Sequence, residues 1–221
     1  MPVNEQQYKE IASVLKGRAA LVAVSKTKPA ADIQALYDLG QRDFGENYVQ
    51  ELVDKQAELP KDIRWHFIGH LQTNKVKYIA PFVHLIHGVD SGKLLREIDK
   101  QAGKCGRVIN VLLQVHIARE ETKFGMDEAE LDASLHAAGA LPHVAVDGLM
   151  GMASFSNDTG VVRNEFRYLH SLFEKYRTAL PGLSPHGWPT LSMGMSGDYT
   201  IALEEGSTMV RIGSLLFGAR G

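Results

Sequence analysis

Short apolar runs alternate along the whole chain with stretches in which apolar positions recur at helical spacing. The runs are AALVAVS (19–25), RDFGEN, RWHFIG, FVHLIHGV, VINVLLQVHI, HVAVDGLM, PTLSMG and TMVRIG, eight in all. A helix is predicted over 5–15 before the first run, and seven more lie between the runs, over 31–39, 48–57, 74–79, 92–102, 128–138, 161–176 and 196–204. A short apolar tail, SLLFGAR, comes after the last run. Strand and helix in strict alternation point to a parallel sheet with helical crossovers. Eight repeats predict a (β/α)8 TIM barrel, somewhat below the usual size of roughly 250 residues. A doubly wound open sheet is the alternative, because buried parallel strands read alike in both. No linker-like tract interrupts the pattern, so a single domain over 1–221 is expected, with PHGWP (185–189) as a loop before the seventh strand.

Composition narrows the function classes. The 221 residues are 44% hydrophobic and 23% charged, with net charge -2 and both signs dispersed, which argues against nucleic acid and against a membrane surface. The opening MPVNEQQYKEIASVLKG has no basic region followed by an apolar run, so a cytoplasmic location is expected. The one cysteine, Cys105, excludes an intrachain disulfide and offers no metal-type spacing. Small molecules and other proteins remain as partners.

In a barrel, chemistry belongs at the carboxyl ends of the strands and in the loops after them. There the sequence places Lys26 and Lys28 after the first strand, Gly45-Glu46-Asn47 at the second, His66 and His70 around the third, and Ser192-Met193-Gly194-Met195-Ser196 in the seventh. The eighth ends in Arg211-Ile212-Gly213-Ser214. A lysine directly after LVAV sits where a barrel interior opens, and partial desolvation there favours the neutral amine that a Schiff base needs. Lys26 is nearest the strand, and Lys28 is its rival. Gly213 permits close backbone approach and Ser214 offers a hydroxyl, features suited to a phosphate, with Ser192 and Gly194 able to close the other side. His66 and His70 lack the acidic partner and the helix of a zinc pair, and no metal site is expected. Phosphate-loop and nucleophile-elbow motifs are absent, and GLMGMA lacks dinucleotide-fingerprint spacing. On these residues alone, a Schiff-base aldolase acting on a phosphorylated sugar also fits.

Five ordered segments carry a more specific signal: AVSKTKP (23–29), FGENYVQE (44–51), WHFIGHLQTNK (65–75), LSMGMSGD (191–198) and GSTMVRIGSLLFGAR (206–220). Together they closely resemble the pyridoxal 5′-phosphate (PLP) homeostasis proteins across nearly the whole chain. The resemblance implies the barrel of the alanine racemase N-terminal domain without the additional β-domain of the racemases, and PLP held as a Schiff base on Lys26. Carried onto matching positions, it implies that Ser192, Gly213 and Ser214 hold the phosphate, that Asn47 and His66 line the cofactor, and that Arg211 faces the pyridine nitrogen, with Lys28, Met193 and Gly194 nearby. His70 stands where the family often has proline, and Lys123 falls in a loop segment, QVHIAREETKFG, that also resembles the family.

PLP catalysts draw electrons into a protonated pyridine ring, which a carboxylate partner holds. An arginine opposite that nitrogen donates a hydrogen bond and leaves it unprotonated. Racemases share this arginine, but complete the site with a tyrosine from a second subunit and the added domain, which this chain is too short to carry. The expectation is therefore a non-catalytic, monomeric PLP carrier acting in vitamin B6 homeostasis and supplying apo PLP-dependent enzymes; the alternative is a small PLP-dependent amino-acid racemase.

Overall fold

Strand β1 (Ala20–Val24) pairs in parallel with β2 (Asp43–Glu46) on one side and with β8 (Met209–Ile212) on the other, Ala20 lying opposite Met209 and Ala23 opposite Phe44. That closure excludes the open sheet. In the computed structural model, which describes residues 3–120 and 122–218, the barrel runs in chain order through β3 (Arg64–Phe67), β4 (Leu85–Val89), β5 (Ile109–Val115), β6 (Val144–Gly151) and β7 (Thr190–Met195). Ala219 and Arg220, at the end of the last motif, lie outside the described residues.

Around the barrel stand α1 (Glu5–Leu15), α2 (Ala30–Asp38), α3 (Val49–Glu58), α4 (Val76–Ile79), α5 (Gly92–Lys104), α6 (Glu128–Ala138), α7 (Thr159–Ala179), α8 (Tyr199–Glu204) and α9 (Ser214–Phe217). Local chemistry sets their ends. Helix α6 starts on a capping box, in which Asp127 accepts from the Glu130 amide at 2.8 Å and Glu130 accepts from the Asp127 amide at 3.1 Å. Such a cap contributes about 1 kcal/mol. The helix predicted over 196–204 begins later, at Tyr199, because Asp198 accepts from the Met195 amide at 2.6 Å and turns the 195–198 segment into a loop.

Side chains alternate between the two faces of each strand. Leu21, Ala23, Trp65, Phe67, Ile86, Val111, Leu113, Leu191, Val210 and Ile212 belong to the large apolar layer between barrel and helices. Val22, Leu85, Leu112, Met150 and Met209 form a separate small cluster, which the alternation places inside the barrel. The same alternation sends His66, His87, Ser192 and Arg211 inward, so the interior is apolar in one layer and polar in another.

Among the described residues the strand register shifts at three places, one of them between β4 and β5 at Ile86/Val89, and the other two shape the upper half of the barrel. The β5–β6 register shifts at Val111/Leu112. There Gly148 has φ +148°, and a Cβ on it would stand 1.8 Å from the Thr190 carbonyl oxygen. The β7–β8 register shifts between Ser192 and Met195, across Gly194 at φ +94°. A bulge of this kind bends the strand and re-aims the residues beyond it, and here it turns Ser196 toward the mouth. Among the described residues no helix is long and apolar enough to cross a membrane.

Candidate functional site

A cavity of about 450 Å³ opens at the carboxyl ends of the strands, a size suited to a small cofactor. Five of the seven residues singled out by sequence line it: Lys26, Asn47, Arg211, Gly213 and Ser214. Lys28 lines it too.

The turn that presents Lys26 is clamped from behind. Lys55, on α3, donates to the Ser25 carbonyl at 2.8 Å, to Glu46 at 2.8 Å and to Glu51 at 2.7 Å. The Ser25 hydroxyl donates to Glu46 at 2.6 Å, and the Thr27 amide donates to Glu51 at 2.6 Å. Thr27 has φ +63°, a left-handed conformation that costs a β-branched residue roughly 1–2 kcal/mol, so its amide bond to Glu51 is part of what holds the turn. Burial pushes the Glu46 carboxyl up, against the pull of Lys55 and Ser25. Lys28 is used differently: its ammonium donates to the Phe217 carbonyl at 2.9 Å and ties down α9.

On the far wall the Arg211 guanidinium donates through Nη1 to the Ser192 carbonyl at 2.9 Å and to Ser192 Oγ at 2.6 Å, and through Nη2 to the Gly151 carbonyl at 3.1 Å. Burial brings its pKa down to about 10, with Asp198 pulling the other way, so it stays cationic at neutral pH. The Gly213 amide donates to Ser196 Oγ at 3.2 Å, which joins the loop after β7 to the start of α9.

His66 and Ser192 sit below the cavity and do not line it. His66 is 1% exposed between Asp43 and His87, and Ile68, two residues on, takes the place on the wall. Ser192 is fully buried beneath Arg211, and Ser196, in the same LSMGMSGD motif, is the serine that reaches the cavity. Met193 packs in the outer apolar layer. His70 lies apart from His66, its Nδ1 2.9 Å from Asp90 and its ring stacked on Phe124. Lys123 donates to the Ala153 carbonyl at 2.6 Å and fastens the segment that carries Phe155 to the rim.

Sequence reasoning placed Ser196 at the seventh strand but gave it no role, and it missed His87 and the Lys55–Glu46–Glu51 clamp. A signal for His87 existed: a polar residue at inward parity in the otherwise apolar run LIHGV. That Ser196 and not Ser192 reaches the cavity was hidden by the bulge at Gly194, which breaks strict alternation.

Three observations test whether PLP fits. The wall carries Lys26, Lys28 and Arg211, and among its described residues no carboxylate, histidine or tyrosine. Asn47 Oδ1 is buried at the cavity without a hydrogen-bond partner, an acceptor suited to a ligand hydroxyl. Ser196, Gly213 and Ser214 gather small polar groups and a close backbone at one end. The residues fit the cofactor.

Residues 4–221 match the family described as alanine racemase, N-terminal domain. The chain is 40% identical over 220 residues to a pyridoxal phosphate homeostasis protein of Pasteurella multocida, covering 97% of this chain and 91% of that one. It is 43% identical over 203 residues to the protein of that name from Aquifex aeolicus, covering 91% and 87%. The structure of PipY from Synechococcus elongatus with PLP bound superposes with a TM-score of 0.88 at 37% identity, covering 96% of this chain and 99% of that one. Alanine racemase from Bartonella henselae shares the fold at TM-score 0.72 and 16% identity, over 95% of this chain and 56% of that chain.

Proposed function

Because this chain belongs to the family of pyridoxal phosphate homeostasis proteins, built on the alanine racemase N-terminal domain, we propose that it binds PLP in the cavity as a Schiff base on Lys26. The observation that carries the reading is the charge of the wall: three cations around one space, with no described carboxylate among the lining residues. Such a field favours a ligand bearing a phosphate. Lys26 is assigned the covalent link because it stands nearest the end of β1 at the barrel mouth. Ser196, Gly213 and Ser214 are assigned to the phosphate and Asn47 to a ring substituent. Arg211 is assigned to the pyridine nitrogen, with Ser192 acting through it.

PLP bound there supplies an aldehyde for the lysine amine and a ring able to draw electrons from a neighbouring carbon. The residues around it favour holding over reaction. A cationic Arg211 keeps the ring nitrogen unprotonated. Beyond the two lysines, the described wall has no group to pass a proton to or from a substrate carbon. The role proposed is therefore storage of PLP and its supply to apo enzymes.

The test is to load the purified protein with PLP, record its visible spectrum, reduce it with borohydride and map the modified peptide. Pyridoxyl on Lys26 and loss of the visible band in Lys26→Ala are expected. A protein that stays colourless, or a label on Lys28, overturns the assignment. Mixing loaded protein with an apo PLP enzyme and a trap for free PLP tests supply, and no transfer above the free-cofactor rate counts against it. Lys26-dependent uptake of solvent deuterium at the α-carbon of an amino acid would make the protein a racemase-like enzyme instead.

A further inference from the structure

Beneath the cavity a line of buried polar side chains crosses the barrel from Arg211 to Asp43, the first residue of β2 and so at the end remote from the cavity. Arg211 Nη1 lies 2.6 Å from Ser192 Oγ, Ser192 Oγ 3.1 Å from His87 Nδ1, His87 Nε2 2.9 Å from His66 Nδ1, and His66 Nε2 3.0 Å from Asp43 Oδ1. His66, His87, Ser192 and Arg211 are each 4% exposed or less. Buried polar chains of this length must satisfy every member or lose stability.

The two ends determine the proton positions. Arg211 only donates and ionised Asp43 only accepts. His87 is wholly buried, and desolvation above all, with the cationic Arg211 adding to it, holds its pKa well below the usual range, so its ring carries one proton. If that proton sat on Nδ1, both His87 and Arg211 would donate to Ser192 Oγ, and the serine's own proton would have no acceptor among these contacts. The proton therefore sits on His87 Nε2, and Ser192 donates to Nδ1. His87 in turn donates to a bare His66 Nδ1, which leaves the His66 proton on Nε2, pointing at Asp43. Every hydrogen bond runs one way, from Arg211 to Asp43, and both histidines are neutral Nε2–H tautomers.

We propose that His87, its tautomer set by His66 and Asp43, is a positioning residue for the PLP ring: its Nδ1 accepts the hydrogen bond of the Ser192 hydroxyl, so that the Ser192 lone pair faces Arg211 and fixes the guanidinium that meets the ring nitrogen. This role rests on the function proposed above, in that Arg211 faces the cofactor. His84, whose ring centre lies 5.4 Å from that of His66, has no place in the chain.

Nitrogen-detected NMR of the ligand-free wild-type protein at neutral pH decides the first half without any cofactor or variant. Nε2–H signals for both His66 and His87 are expected, and an Nδ1–H tautomer or an imidazolium at either overturns the proposal. The second half is read in PLP affinity and in the absorption of the bound cofactor. His87→Leu leaves the Ser192 proton without its acceptor, and affinity should fall about tenfold, the weight of one buried group losing its partner, with a shift of the band. His87→Gln, able to accept from Ser192 and donate to His66, should restore much of both, and His84→Leu should leave both unchanged. Wild type that binds PLP alongside an unaltered His87→Leu overturns the positioning role alone; wild type that binds no PLP overturns the function proposed above and this role with it.

Discussion

The Lys55 ammonium donates to the carbonyl of Ser25 at 2.8 Å, one peptide before Lys26. Through that contact a helix outside the barrel controls the turn that presents Lys26. Glu46, fully buried, is the other end of the clamp.

Replacing Lys55 with methionine removes the cation and leaves Glu46 buried with only Ser25. Removing one partner of a buried pair costs about 3–5 kcal/mol. Burial already raises the Glu46 carboxyl above 4.5, so in Lys55→Met the penalty should grow as pH rises past that value and shrink in acid, where the carboxyl is neutral. Urea unfolding across pH is the measurement, and Lys55→Met/Glu46→Gln should recover most of the loss.

Lys28→Ala separates the two lysines. It removes a charge-assisted hydrogen bond to the last carbonyl of α9, worth about 1.5–3 kcal/mol when buried and less at this part-buried site. The variant should melt lower, yet keep the borohydride-reducible PLP link on Lys26. Loss of the link with the fold intact would exchange the roles of the two residues.

The barrel was legible because strand and helix alternate in buried runs that periodicity reads directly, and Lys26, Asn47, Arg211, Gly213 and Ser214 were legible because each stands at a strand end. Closure was not, since the pairing of Ala20 with Met209 joins residues far apart in sequence. The placements of His66 and Ser192 needed depth along the barrel axis, which a motif match does not contain. The place of Ser196 at the cavity was concealed for another reason: a bulge shifts the phase of a strand, and a glycine in a motif does not announce which way the chain turns.

Gly148→Ala should be among the most damaging small substitutions in the chain. The added methyl would stand 1.8 Å from the Thr190 carbonyl oxygen, which is backbone and cannot swing aside, and φ is +148°. Overpacking of this kind costs typically about 1–3 kcal/mol, and the disfavoured backbone adds to it. Denaturant unfolding should show at least the upper part of that range, with the β5–β6 bulge as the site of failure. A loss under about 0.5 kcal/mol, the ordinary surface range, would mean that the bulge relaxes.

Acid should act on the barrel through Asp43. Burial opposes its charge, but hydrogen bonds from His66 and Arg64 outweigh that effect and hold its carboxyl well below the usual 3.8. In the unfolded chain the carboxyl titrates near that ordinary value, so the unfolded state takes up the proton first as pH falls. The stability Asp43 contributes is thus fully present above about 4 and is lost below it, at up to about 1.4 kcal/mol per pH unit. Asp43→Asn lacks the titrating group, and the stability gap between wild type and variant should be constant from about pH 7 to 5 and narrow as pH falls further. Parallel curves throughout would show that Asp43 titrates alike in both states.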